Sequence, residues 1–281
     1  MAEYGMKRHS AGPRPSKRLG QHFLRDRRVV HRIIAKAGVG KEETILEIGA
    51  GTGVLTIPLA RSVDQVIAVE KDPRLVDRLR PKLARLGIAN VVLINADILR
   101  LDLDQIWPDD ASKLKVIGNL PYNISTPLLE KLMANRHRLS RAVLMFQAEL
   151  AKRLIGTPGT KAYGAMSVLI QYSAYVAPLL EVPRTAFYPM PRIDSMVLEF
   201  NFERSYPRKT ENEENFRKIV KASFAHRRKT LLNSLRAGLP ALSNEHILHA
   251  LKRCSMDPRQ RAESYGIDDF LSLSTELLSL S

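Results

Sequence analysis

The 281 residues carry 44 Lys and Arg against 29 Asp and Glu, a formal charge of +15, with 44% hydrophobic residues. That composition excludes a disordered chain, gives enough length to bury a sizeable core in one large domain with an appendage, and draws the molecule to polyanions such as RNA, DNA or an anionic membrane surface. The single cysteine, Cys254, excludes an internal disulfide and a multi-cysteine zinc site. It argues for a reducing compartment, and the expected location is the cytoplasm. No run approaches the roughly 18 apolar residues of a membrane span, and residues 1–20 lack the apolar stretch of about 7–15 residues that a signal peptide needs.

In chain order, residues 1–16 are rich in Pro, Gly, Arg and Lys and read as a flexible basic arm; residues 1–32 hold nine Lys and Arg and two acids. Short Val- and Ile-rich runs follow at 45–49 (ILEIG), 65–70 (QVIAVE), 91–95 (VVLIN), 115–119 (KVIGN) and 142–146 (AVLMF). Helical segments separate them; in 73–87, Leu75, Leu79, Leu83 and Leu86 recur at spacings of three and four. Apolar strands alternating with helices predict an open, mostly parallel α/β sheet. The segment 195–202 (SMVLEFNF) reads as a closing strand. Beyond it the chain turns polar around Pro207, and Thr210-x-x-Glu213 offers a capping box for a helix beginning near Phe216. A boundary within 204–212 and helices over 214–236, 243–253 and 267–279 predict a small all-α C-terminal domain over 206–281.

The first strand runs into Glu47-Ile48-Gly49-Ala50-Gly51-Thr52-Gly53, a Gly-rich turn ahead of a helix. Glycines there let the backbone approach a ligand, and Glu70, at the end of the second strand, can accept hydrogen bonds from both hydroxyls of a ribose. A dinucleotide and S-adenosylmethionine both satisfy that pattern. Asp97, after the third strand, suits the exocyclic amine of an adenine, or equally a cap for the segment that follows it.

The fourth strand ends in Gly118-Asn119-Leu120-Pro121-Tyr122-Asn123. The exocyclic nitrogen of adenine is a poor nucleophile because its lone pair is delocalised into the ring. The side-chain oxygen of Asn119 and a backbone carbonyl of the next turn can accept its two N–H bonds and favour a pyramidal nitrogen. Pro121 fixes φ in that turn, and Tyr122 offers a ring face to a flipped-out base. No His, Asp or Glu cluster has ligand spacing, so no metal is expected, and Cys254 has no activating partner in the sequence.

Here the chain resembles the ribosomal RNA adenine N6,N6-dimethyltransferases. Gly118-Asn119-Leu120-Pro121-Tyr122 matches their N-[LI]-P-Y motif, Lys17-Arg18-Leu19-Gly20-Gln21-His22-Phe23-Leu24 their N-terminal signature, and Phe187-Tyr188-Pro189-Met190-Pro191-Arg192-Ile193-Asp194-Ser195 their F-x-P-x-P segment. The stretch from Phe224 to Leu235 is similar to that of the family's bacterial small-subunit enzyme. The resemblance implies a Rossmann-like S-adenosylmethionine-dependent methyltransferase domain over 17–205. It implies dimethylation of two adjacent adenosines in the 3′-terminal hairpin of small-subunit rRNA, by a monomer acting on the small ribosomal subunit. Residue by residue, His22, Leu24, Gly49, Glu70, Asp97 and Asn119 would contact the cofactor. Asn119 and the Leu120–Pro121 backbone would hold the target nitrogen, while Tyr122 and Phe187 would stack on the adenine. The family's rivals are a large-subunit resistance methylase and a non-enzymatic nucleic-acid-binding factor.

Residues 216–236 hold seven Lys and Arg and no acid. On one helix, Phe216, Ile219, Val220, Phe224, Leu231 and Leu235 would share an apolar face. The basic residues, Arg227, Arg228 and Lys229 among them, would then face outward toward RNA phosphates. This segment and residues 1–32 each carry a net +7, nearly the whole excess.

Overall fold

The computed structural model describes residues 15–16, 19–107 and 113–278. Most of the expected basic arm, together with Lys17 and Arg18, lies outside the described residues. Seven strands form one sheet: β2 (Thr44–Ile48), β3 (Gln65–Glu70), β4 (Val91–Asn95), β5 (Leu114–Asn119), β6 (Leu139–Gln147), β7 (Tyr175–Val182) and β9 (Ser195–Asn201), in the order β4-β3-β2-β5-β6-β9-β7. The first five are parallel, and β9 runs antiparallel to both β6 and β7. Two short strands, β1 (Phe23–Leu24) and β8 (Phe187–Tyr188), pair separately.

Period-two alternation sends successive residues of each central strand to opposite faces. Ile45, Val66, Ile117 and Val143 join one apolar cluster with helices α1 (Arg27–Ala37), α2 (Thr56–Ala60) and α3 (Pro73–Arg85). Leu46, Ile67, Val116 and Leu144 join the other, under α4 (Ser125–Ala134), α5 (Ala148–Leu154) and α6 (Ala165–Ser173). Each fully buried Leu, Ile or Val contributes about 1.5–3 kcal/mol, so apolarity on both faces ties these strands to the sheet centre. The second cluster continues without a break into α7 (Glu213–Ser223), α8 (Leu231–Gly238), α9 (Asn244–Arg253) and α10 (Ile267–Leu278).

Four local expectations change. The segment 214–236 is two helices, because the chain turns between Phe224 and Lys229 and Thr230 caps α8 by accepting the Asn233 N–H. The cap of α7 is Asn212, whose side chain accepts the Asn215 N–H, and the helix starts at Glu213. Leu86 ends α3 and is exposed, while Val76 completes the buried stripe of Leu75, Leu79 and Leu83. The strand at 195–201 lies between two neighbours, which is why Val197 is buried along with Met196 and Leu198. The sheet edge is β7, where Pro178 sits at a register shift, a place where its missing N–H is tolerated.

Candidate active site

Strand order reverses between β2 and β5, and the ends of β2, β3, β4 and β5 open into a cleft of about 1010 Å3, its solvent-filled mouth included. Such a crevice beyond the carboxyl ends of parallel strands is the ligand position of open α/β sheets. His22, Leu24, Gly49, Glu70, Asp97, Asn119, Leu120, Pro121 and Tyr122 all line it.

The Gly-rich turn is held open by backbone geometry. Gly49 and Gly51 adopt φ of +81° and +56°, and a Cβ on Gly49 would lie 3.4 Å from the Asn119 carbonyl. Bare backbone therefore faces the crevice at the strand reversal. Glu70 is buried, with Oε2 accepting the Gly51 N–H and Oε1 the Asp72 N–H, both at 2.8 Å. Burial pushes its carboxyl above the ordinary range.

Asp97 serves as the anticipated cap and also forms an ion pair that the sequence did not suggest. Oδ1 accepts the Leu99 N–H, capping the turn, and Oδ2 sits 2.7 Å from Lys71 Nζ, whose hydrogen bond holds the carboxyl below its usual range.

Asn119 ends β5 with its amide oriented. Nδ2 donates to the His22 carbonyl at 3.2 Å. A carbonyl only accepts, so the amide's N–H side is committed to the backbone and Oδ1 remains the free acceptor. The Pro121 carbonyl accepts the Ile124 N–H. Tyr122 stacks on His22 with ring centroids 5.6 Å apart, and its hydroxyl lies 2.9 Å from Ser195 Oγ. His22 Nδ1 donates to the Pro189 carbonyl at 2.7 Å. The N-terminal signature, the Asn-Leu-Pro-Tyr turn and the F-x-P-x-P segment thus converge through these bonds and the β1–β8 pairing.

Phe187 pairs with Leu24 and sits in the apolar cluster, 5% exposed and outside the residues that line the cleft. Arg227, Arg228 and Lys229 are exposed in the turn between α7 and α8. Among the described residues no group of His, Cys, Asp and Glu is arranged to hold a metal.

Three residues given no role by sequence reasoning complete the site. Glu47 is 1% exposed on β2 and lines the cleft, and burial, only partly offset by Thr56, pushes its carboxyl up to about 7. A carboxylate inside an apolar strand was its signal. Asp72 caps α3 and accepts from Gln21 Nε2, tying the N-terminal signature to the cofactor side; its hydrogen bond to Arg74 lowers its carboxyl to about 2. Asp-Pro at a helix start was the readable sign for it. Gln21 was visible only as a letter of the signature.

The family model for ribosomal RNA adenine dimethylase matches residues 14–278. The chain belongs to the ribosomal RNA adenine dimethylase family. It is 44% identical over 270 residues to ribosomal RNA small subunit methyltransferase A of Geobacter sulfurreducens, covering 95% of this chain and 97% of that one. It is 43% identical over 264 residues to the protein of the same name from Desulforapulum autotrophicum, covering 94% and 92%. Among solved structures it resembles a dimethyladenosine transferase from Plasmodium falciparum, with a TM-score of 0.78, 25% identity and coverage of 92% and 98%. It also resembles the 23S rRNA methyltransferase ErmE, with a TM-score of 0.67, 25% identity and coverage of 91% and 99%. Family membership fixes the cleft's cofactor as S-adenosylmethionine, and the residues present fit it: Gly49 and Gly51 leave backbone room, and Glu70 and Asp97 place carboxylates along one wall.

Proposed function

We propose that this chain dimethylates the N6 amines of two adjacent adenosines in the 3′-terminal hairpin loop of 16S ribosomal RNA during small-subunit biogenesis. The observation that carries the chemistry is the oriented Asn119, whose Nδ2 is spent on the His22 carbonyl. Its Oδ1 accepts one N6–H of the target adenine. A carbonyl of the Leu120–Pro121 backbone accepts the other; the Pro121 carbonyl also receives the Ile124 N–H. With both hydrogens held, the nitrogen's lone pair is directed out of conjugation with the ring, toward an electrophile in the cleft.

Bound S-adenosylmethionine supplies that electrophile as a sulfonium methyl. The Gly49–Gly51 backbone and His22 would hold its methionine end, Glu70 its ribose and Asp97 its adenine amine, with Leu24 packed against it. Tyr122, braced by His22 and Ser195, serves as the stacking platform for the extruded base. The loss of one proton per transfer needs no dedicated base, because the methylated ammonium is acidic enough to lose it to water. The protein acts as a monomer in the cytoplasm; no described helix is long and apolar enough to cross a membrane. The bacterial relatives' name and near-complete coverage support the small subunit as substrate.

The test is incubation with labelled S-adenosylmethionine and unmodified small or large ribosomal subunits separately, followed by mapping of the modified bases. Dimethylation of two neighbouring adenosines in the small subunit is expected. Label confined to the large subunit, or to no adenosine, would overturn the assignment.

A further inference from the structure

The short β1–β8 ribbon has two unlike faces. Residues opposite each other across an antiparallel pair point the same way, and successive residues point opposite ways. The Leu24–Phe187 pair is buried in an apolar cluster, so the Phe23–Tyr188 pair faces away from it. On that second face Phe23 lines the cofactor cleft, and a Cβ on Gly51 of the Gly-rich turn would meet its ring at 3.8 Å. Tyr188, its partner across the ribbon, is 48% exposed and lies outside the cleft lining. The Arg25 guanidinium stands 4.0 Å from the centroid of the Tyr188 ring. An exposed aromatic ring carrying a guanidinium is thus placed just beside the cleft.

The apolar surface continues along the loop that follows. Tyr188, Met190 and Ile193 are three of the seven exposed large apolar side chains among the described residues, all within 188–193. Exposed apolar side chains gathered in one place mark a contact surface, whereas single ones need no explanation. The loop is also held in shape. His22 Nδ1 donates to the Pro189 carbonyl, the Arg184 N–H to Asp194 Oδ1, Arg184 Nη1 to the Arg192 carbonyl and the Ala148 N–H to the Asp194 carbonyl. Pro189 and Pro191 fix φ at two further positions. Charge selects the partner. Arg25, Arg184 and Arg192 are exposed here, while the loop's one acid, Asp194, is engaged by the Arg184 N–H. Rings and guanidinium planes side by side suit unpaired nucleobases and their phosphates.

We infer that Tyr188, with Arg25 over its ring and Met190 and Ile193 in the same loop, is a stacking platform for the nucleotide adjacent to the target adenosine. The inference rests on the rRNA-methylating reading. Extruding a base strips its neighbour of one stacking partner. A ring fixed just outside the cleft replaces that partner and holds the strand while methyl transfer proceeds at the target. The role is distinct from that of Tyr122, whose ring lines the cleft and whose hydroxyl is bonded to Ser195. Tyr122 serves the reacting base and Tyr188 the base next to it. Every base has a π-face, so this platform positions the strand without reading its sequence.

The experiment measures steady-state methylation of unmodified small subunits by the full-length wild type, Tyr188→Ala and Tyr188→Phe, and their subunit binding across a salt series. Tyr188→Ala is expected to raise KM for the subunit at least about fivefold, the loss of one base stack, with kcat and S-adenosylmethionine affinity little changed. Its log–log salt slope should match wild type, because the lost ring carries no charge, whereas loss of a phosphate contact would lower it. Tyr188→Phe keeps the ring and should restore the wild-type KM. In parallel, p-azidophenylalanine placed at position 188 is photolysed on the subunit, and the attachment point is mapped. Cross-linking at or immediately beside the methylated adenosines is expected. Attachment to a ribosomal protein or to distant rRNA, no attachment, or a wild-type KM in Tyr188→Ala would each overturn the inference and leave the catalytic reading intact. Failure of the wild type to methylate the small subunit would instead defeat that reading.

Discussion

The cleft at the strand ends and a groove beside α6, lined by Arg153, Arg227, Lys229 and Arg261, are made differently. In the cleft the working groups are backbone and buried carboxylates, each locked by a hydrogen bond: Glu70 to Gly51 and Asp72, Asn119 to His22, His22 to Pro189. In the groove they are solvated cations on three segments, held mainly through the backbone beneath them. Chemistry at one nitrogen demands positions good to a fraction of an ångström, whereas phosphate attraction tolerates looser ones. Single substitutions should therefore cost far more in the cleft than in the groove.

The sharpest way to break that contrast is Asn119→Ala. It should lower the methyl-transfer rate about 10²–10³-fold, the usual loss when one preorganised transition-state partner is removed, with little change in subunit affinity. Single-turnover kinetics beside a binding curve checks both; near-normal turnover would sink the role given to Asn119. Next comes Glu70→Ala, which removes the acceptor for the Gly51 and Asp72 N–H groups as well as the proposed ribose contact. Hydrogen bonds to a charged group contribute about 1.5–3 kcal/mol, so calorimetry should show roughly 10–100-fold weaker cofactor binding.

Glu47 sharpens the comparison through stability. Its folded-state value of about 7 lies above its ordinary 4.5, so between those limits the folded chain binds more protons than the unfolded one. Its contribution is then fully present below pH 4.5 and is lost as pH rises to about 7, by up to about 3 kcal/mol at 1.36 kcal/mol per pKa unit. Denaturant titrations of Glu47→Gln should lack this decline and show the variant more stable than wild type at pH 8. A parallel fall in both proteins would contradict it. The smallest effect is expected for Tyr122→Phe, which keeps the ring on His22 and loses only the bond to Ser195. About 0.5–1.5 kcal/mol of stability should go while most turnover remains, as a melting curve and an initial rate will show.

The two regions also differed in how far they could be read before any coordinates. Gly49–Gly53, Glu70, Asp97 and Asn119–Tyr122 stand at strand ends that periodicity locates, so their convergence follows once the sheet is parallel. The groove has no such signature: Arg153, Lys229 and Arg261 lie far apart in the chain and become neighbours only when α7 packs against α6. The basic run 216–236 looked like one helix face because its apolar residues fit a single period. The turn at 224–230 and the cap at Thr230 broke it, while Phe216, Ile219, Leu231 and Leu235 still reached the core. Phe187 shows a related limit, since an aromatic in a motif can face either a ligand or the core. Its pairing with Leu24 is a long-range fact.

By itself the chain determined the alternation of strand and helix, the Gly-rich turn, the acids after β3 and β4 and the asparagine before Pro121. These are local consequences of side-chain period and backbone permission. Only the tertiary structure decided that Phe187 packs in the core while Tyr122 lines the cleft, which side of the Asn119 amide is spent on the backbone, that Glu47 is buried, and that four distant cations share one wall. Each of those depends on contacts between segments far apart in the chain, where burial and hydrogen-bond competition, not local pattern, set the outcome.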